Sequence, residues 1–509
     1  MVLSLVLYAV GILIFLLLAI IYFKVIYPEK KIYDLFRAQG ISGEPFRPLI
    51  GQLPEMIKYR NNDEMFLYHE ESTKKYGYYF LFGFGPLTRL ICNEPDLLAD
   101  VLSRNNAPNY EKPVDFISIF IPLVGRHSLL VAKGQDHERS RKMISPAFHH
   151  VNLKSMITII TDRASIAING ILKNEQKSKS VDLQYLFNEL TLSIIISSAF
   201  GADIEANAHA KNVMCQIFAE VLDATELRSM RMINQIPFLS KLPIYKKDVI
   251  DSGLAKVGKF VDDIITDRRQ GKSTSMCEGS DLLDLLLSAV DDEGEPFTDQ
   301  EIKEQSLTFV LAGSETTGNL MTWLLYVLMT HEHVLQACRE EVDRVLPKGT
   351  ELTNEHLSQL VICEAIINET LRLYPPAPFY ARHCVREHTI GSKKQIVVPK
   401  GATILINTHV IHRREDLWPR PLEFDYTRWL RDPTTGFKSK LAHPFAYLPF
   451  ASGPRNCIGQ NFALLEARIM LAMFVQRCNF ELIPGQKIVP DVKITMRPKY
   501  GLLATISQR

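Results

Sequence analysis

The run Phe450-Ala451-Ser452-Gly453-Pro454-Arg455-Asn456-Cys457-Ile458-Gly459 sets one thiol between two glycines, behind a proline. These residues predict a tight, stiff loop, and ALLEARIMLAMFVQ after it reads as a helix. A thiol on a loop entering a helix N-terminus is drawn toward thiolate by backbone donors and the helix dipole. A single thiolate with no second cysteine beside it suits one axial position on a haem iron, where its electron density favours O–O cleavage. The other seven cysteines, at 92, 215, 277, 338, 363, 384 and 478, show no CxxC spacing. They read as small buried apolar side chains, which argues against a zinc ribbon or a disulfide framework.

A second constellation is Ala312-Gly313-Ser314-Glu315-Thr316-Thr317. Upstream, Thr298-Asp299-Gln300-Glu301 fits a capping box, which predicts a helix start. The stretch from Ile302 to about Thr330 is apolar nearly all round, as a helix through the middle of a large protein must be. Two small residues, an acid and two hydroxyls pack poorly there. Small residues let a flat ligand approach the backbone, a buried acid needs a partner, and the hydroxyls can bond carbonyls four residues back. The alternative reading of the same residues is a helix kink with a solvated Glu315. Third, Glu369 and Arg372 stand at i, i+3, on one helical face where they can pair. Tyr374-Pro375-Pro376-Ala377-Pro378 must end that helix.

These residues need a large scaffold. The chain has 509 residues, 58 Lys+Arg against 57 Asp+Glu, and 46% hydrophobic residues. That balance supplies a large core and excludes a disordered chain, a collagen and a polybasic nucleic-acid binder. Val2 to Phe23 carries no charge, and as a helix it reaches about 33 Å, enough to cross a bilayer core of about 30 Å. No basic n-region precedes it and no A-x-A-like site follows, so it reads as a retained anchor rather than a cleaved signal. Lys24, Lys30 and Lys31 follow it, which predicts a cytosolic body. The expected division is an anchor over 1–27, a proline-rich stiff hinge over 28–54 and one catalytic domain over 55–509. Helical patterns dominate from about Leu97 to Cys363. From Thr389 short apolar runs take over, with strands expected at Ile396–Val398 and Thr403–Ile406.

Together these features resemble the cytochrome P450 family over essentially the whole chain from the anchor onward. Phe450, Gly453, Arg455, Cys457 and Gly459 match its haem-loop pattern F-x-x-G-x-R-x-C-x-G, Ala312 to Thr317 its A-G-x-[DE]-T-T, and Glu369 with Arg372 its E-x-x-R. Pro421 to Trp429 resembles the meander that adds Arg428 to the E-x-x-R pair. The implied fold is mainly α with a minor β part, a single large catalytic domain around a long central helix, plus an N-terminal transmembrane helix. The resemblance implies that Cys457 ligates the iron of a non-covalent haem b. Arg141, Arg382, Arg455 and His137 would bond the propionates, and Phe450, Ala312, Gly313 and Gly459 would line the cofactor. Thr316, supported by Glu315, would pass protons toward dioxygen; Glu369, Arg372 and Arg428 would be structural.

The implied reaction is R–H + O₂ + two electrons + two protons giving R–OH + H₂O, on a lipophilic sterol, fatty acid or foreign compound. The chain has no flavin or nicotinamide motif. Electrons would come from a separate NADPH-cytochrome P450 reductase, with cytochrome b5 as a further partner, at the endoplasmic reticulum membrane. Expected pocket walls are Phe116 to Phe120, Leu311, Ala312, Pro378, Phe379 and Tyr500 to Leu502. Arg139, Lys142, Lys438 and Lys440 are expected to form a basic docking face. Four positions depart from the family pattern. His137 stands in place of Trp in W-x-x-x-R, so its charge would depend on pH; Tyr426 replaces Pro, and Glu315 replaces the commoner Asp. Ala312 stands where fatty-acid ω-hydroxylases often carry a Glu that bonds the haem, so no covalent link is expected. The competing readings are a haem-thiolate isomerase or dehydratase acting on peroxides, a non-catalytic haem-binding protein, and an anchored protein without haem.

Overall fold

The computed structural model describes residues 2–174, 180–201, 212–229, 242–276, 279–432, 434–437 and 439–509. Its first helix, Val2–Ile21, continues through a π turn, Tyr22–Ile26, into Tyr27–Ala38. The stretch Leu3–Ala38 is long and apolar enough to cross a membrane, and none of its most apolar window is buried in the protein. The segment 28–54, read as a hinge, packs against the domain. Ile32, Phe36 and Ile41 are buried, and Gly43 bridges Leu81 of the sheet. A Cβ on Gly43, at φ +153°, would stand 2.3 Å from the Leu81 backbone. The apolar side chains between the prolines therefore determine where this segment lies.

The main sheet contains β1 (Tyr79–Phe84), β2 (Leu87–Cys92), β3 (Tyr110–Glu111), β4 (Phe379–Cys384) and β5 (Thr403–Asn407), in the order β1-β2-β5-β4-β3. β2 and β5 are parallel, with Arg89 opposite Thr403; the other pairs are antiparallel. The two strands expected around Pro399–Gly401 both form but do not pair with each other. Ile396–Val398 joins His388–Ile390, and β5 lies between β2 and β4.

The central helix spans Asp299–Thr330, 32 residues. Thr298 Oγ1 accepts from the Glu301 amide at 3.2 Å, and Glu301 accepts from the Thr298 amide at 2.8 Å, which completes the capping box. Residues from Ile302 to Leu328 are buried on almost every side, as the all-round apolar pattern requires. The helices Leu183–Phe200, Val361–Leu373 and Gln460–Arg477 pack around it. A second core, between the sheet and the N-terminal segment, includes Phe36, Leu81, Leu90 and Ile404.

Candidate active site

Cys457 sits where the predicted loop meets helix Gln460–Arg477. Its amide donates to Phe450 O at 2.9 Å, and Asn456 N donates to Gly453 O at 3.0 Å, closing the loop. Gly453 has φ +75°, and a Cβ there would lie 1.9 Å from Leu102 O, so only glycine fits. The loop lines a cavity of about 330 Å³ into which the Cys457 thiol opens. Burial pushes the thiol pKa up, against the Gly459 amide and the Arg141 charge, which pull it down. For the thiol by itself, burial outweighs the pull of the helix N-terminus; a bound metal ion would favour the thiolate.

Five basic side chains converge on the same cavity: Lys112, His137, Arg141, Arg382 and Arg455. Lys112 donates to Leu130 O, Arg382 to Ala381 O at 3.0 Å, Arg455 to Ala132 O at 2.7 Å, and Arg141 to Asn456 O and Oδ1 at 2.7 Å each. Among the described residues, none of these four makes an ion pair. Burial first, then mutual repulsion, pushes Lys112 well below its usual range, and burial brings Arg455 down to about 10. His137, 5% exposed, falls to about 3 for the same two reasons. The imidazole is therefore neutral at physiological pH, whereas the sequence predicted a pH-dependent charge. Buried cations without counter-ions are costly. A thiol and a cationic cluster on one cavity fit a haem, whose propionates would supply the missing negative charges. Lys112 was not legible in the sequence: a lone lysine before a proline carries no motif.

The central helix divides its functional residues between two cavities. Ala312, Gly313, Thr316 and Thr317 line the thiol's cavity. Thr316 Oγ1 donates to Ala312 O at 2.6 Å, the bond to the carbonyl four residues back expected of such a hydroxyl. Gly313 also serves helix packing, since a Cβ there would lie 3.0 Å from Ile195. Glu315 lines a second, more polar cavity of about 430 Å³. It is 8% exposed rather than solvated, and accepts from Thr495 Oγ1 at 2.8 Å. Burial raises its pKa, only partly offset by Thr495 and the Arg497 charge. The structure thus does not bring Glu315 and Thr316 to one cavity, because neighbours on a helix point about 100° apart. Another acid that the motifs did not single out, Glu466 on the helix after Cys457, has no exposure, and burial raises its pKa strongly.

Glu369 and Arg372 are both fully buried. Arg372 grips Glu369 bidentately at 2.7 and 2.9 Å, and Glu369 also accepts from Asp425 N, Arg428 Nε and Trp429 Nε1 at 3.0, 3.3 and 2.9 Å. Arg372 further donates to His412 O, Pro421 O and Glu423 O. His412 accepts the Leu448 amide on Nε2 at 2.9 Å, and its Nδ1 faces Arg372 O at 3.1 Å. Burial pushes its pKa to about 3, so it is neutral with the proton on Nδ1. This network fixes the backbone just before the cysteine loop. Tyr426, in place of the expected proline, begins a 3₁₀ turn, Tyr426–Trp429, that presents Arg428 and Trp429 to Glu369.

Several expected wall residues are elsewhere. Phe116 and Ala312 line the thiol's cavity, but Leu311 does not; Pro376, Ala377 and Tyr380 take the places expected of Pro378 and Phe379. Phe379 stacks on Phe66, and Tyr500 and Gly501 line the second cavity. Two of the expected docking cations carry ion pairs. Arg139 is taken up by Asp291 and Glu301 at 2.6 and 2.9 Å, and Lys142 by Asp292 at 2.5 Å. Lys440 is exposed, and Lys438 lies outside the described residues.

The comparisons with known proteins agree with this geometry. A model of the Cytochrome P450 family matches residues 41–504. The chain is 28% identical to cytochrome P450 3A12 of Canis lupus familiaris, over 88% of this chain and 87% of that protein. It is 29% identical to cytochrome P450 734A1 of Arabidopsis thaliana, over 93% and 91%. The solved haem domain of cytochrome P450DA superposes with a TM-score of 0.77 at 25% identity, covering 92% of this chain and 98% of that one. The chain belongs to the cytochrome P450 family, and it is a haem-thiolate monooxygenase with haem b as its cofactor.

Proposed function

We propose that Cys457 is the iron ligand and that this protein hydroxylates a small lipophilic substrate. The observation that carries the reading is the convergence of one cavity-facing thiol with four basic side chains that make no ion pair among the described residues, and apolar walls that include Phe116, Leu129, Phe309 and Leu371. Arg141, Arg382, Arg455 and Lys112 hold the propionates, and His137 hydrogen-bonds to them, its proton affinity raised by their negative charge. When bound, the haem supplies the oxidising chemistry on dioxygen. The chain excludes water with its aromatic and aliphatic walls, orients the substrate against Ala312, and holds a proton-bearing hydroxyl at Thr316. Sterols, fatty acids and foreign compounds all suit such walls. A separate NADPH-dependent reductase, with cytochrome b5 as a second partner, supplies electrons. The anchor places the protein in the endoplasmic reticulum membrane with the domain in the cytosol, supported by the lysines after the apolar helix.

The test is the carbon monoxide difference spectrum of the dithionite-reduced protein. A strongly red-shifted Soret band that disappears in Cys457→Ala supports the assignment, and a band of histidine-ligated type overturns it. Substrate-dependent NADPH consumption with added reductase separates a monooxygenase from a peroxide isomerase or a passive haem carrier.

A further inference from the structure

The C-terminal hairpin pairs Pro490–Val492 with Met496–Pro498, Val492 standing opposite Met496, so Lys493, Ile494 and Thr495 form its tip. The tip is docked firmly. Met496 N donates to Pro376 O at 2.8 Å, and Trp323 Nε1 of the central helix reaches Met496 O at 3.4 Å. Thr495 is consequently 5% exposed, between two residues of the central helix. Asn319 Nδ2 donates to Thr495 Oγ1 at 2.8 Å, and Thr495 Oγ1 donates to Glu315 Oε1 at 2.8 Å. A hydroxyl has one hydrogen. With Asn319 already donating to it, that hydrogen must go to Glu315, so the chain runs one way: Asn319 to Thr495 to Glu315. Oε1 is then committed as an acceptor. Any proton on this acid sits on Oε2, which has no hydrogen-bond partner among the described residues.

We infer that Thr495 is a positioning residue. It turns the Glu315 carboxyl away from the haem cavity into the polar cavity across the helix and selects Oε2 as the oxygen that takes up and releases the proton. Charged and titratable groups near the acid come from several elements: Arg497 and Lys493 from the hairpin, Asp223 from helix Phe218–Ser229, Asp182, Tyr185 and Glu189 at and within the start of helix Leu183–Phe200, and Lys499 and Tyr500 beyond the hairpin. Arg497 and Lys493 both approach Asp223, at 3.4 and 3.7 Å, and among the described residues Thr495 makes the direct hydrogen bond to the carboxyl. Because Glu315 precedes Thr316, fixing this carboxyl also fixes the side of the helix from which protons reach the hydroxyl.

This inference rests on the monooxygenase reading, and its test separates the two. In the full-length haem-loaded protein, Glu315→Gln identifies the neutral carboxyl's C=O infrared band, a measurement that needs no turnover. Thr495→Val is expected to move that band to higher frequency and its titration midpoint to higher pH, because the hydroxyl favours the charged form. Thr495→Ser restores both. In turnover, Thr495→Val moves the acidic limb of the kcat profile to higher pH and raises the solvent isotope effect, with the carbon monoxide spectrum unchanged as a check on folding. Band, midpoint and pH profile identical to the parent in Thr495→Val would overturn the assignment. If the band shifts and no substrate is hydroxylated by the parent enzyme, the positioning role stands and the monooxygenase reading falls.

Discussion

Glu369 and Glu315 are both buried acids on helices that contribute to the haem cavity's walls, yet their surroundings differ in kind. Glu369 receives five hydrogen bonds from Arg372, Asp425, Arg428 and Trp429. Glu315 has one, from Thr495, and an oxygen with none among the described residues. A carboxyl held by that many donors has no freedom to turn, so Glu369 is a structural acid. A buried carboxyl left short of partners has its pKa raised, as burial raises that of Glu315, and keeps an oxygen open to a proton. The same residue type thus serves as structural support in one region and as a proton-handling group in the other, according to the number of donors around it.

The contrast is broken most severely on the structural side. Arg372→Ala leaves Glu369 buried without its main partner, and the expected loss is about 3–5 kcal/mol of stability, seen as little folded, haem-loaded protein and no thiolate-type carbon monoxide band. Glu315→Gln should do the reverse: thermal unfolding stays in place, while coupled product formation falls on the order of 10²-fold and NADPH is consumed without product. A Glu315→Gln protein that unfolds as Arg372→Ala does would place both acids in the structural class.

The cationic cluster sharpens the comparison from the other sign of charge. Lys112→Met removes a buried cation that the apoprotein holds at a cost, so the apoprotein should become more stable. The haem complex should lose about 1.5–3 kcal/mol, the value of a hydrogen bond to a charged group, measured as faster haem transfer to an acceptor protein. A further effect, confined to acid pH, is expected at His137. Its folded pKa of about 3 lies below the ordinary 6.5, so the unfolded chain takes up a proton that the folded apoprotein refuses. Apoprotein stability should therefore fall as pH drops through the window from about 6.5 toward about 3. Denaturant midpoints of His137→Gln should show a shallower decline over that window.

Much of this was legible locally. The cysteine loop, the capping box at Thr298 and the Glu369–Arg372 pair all depend on residues within a few positions of one another, and each formed as its spacing implied. The membrane-length helix followed from composition alone. That Ile32, Phe36 and Ile41 of the 28–54 segment are buried against the domain was not legible, because their partners lie far along the chain. The ion pairs of Arg139 and Lys142 were not legible, because the acids that pair with them lie about 150 residues further along the chain.

What the sequence by itself determined, then, was which chemistry the chain carries: one thiol on a stiff loop, an acid beside a hydroxyl, and an acid–base pair on one helical face. Short-range geometry is enough for that, since turns, caps and i, i+3 contacts are fixed by neighbours. Only the tertiary structure decided which cavity each group faces, that Lys112 joins the arginines, and that Thr495 rather than a cation holds Glu315. A helix turns about 100° per residue, so the packing of distant elements, not the motif, selects the direction in which each side chain works.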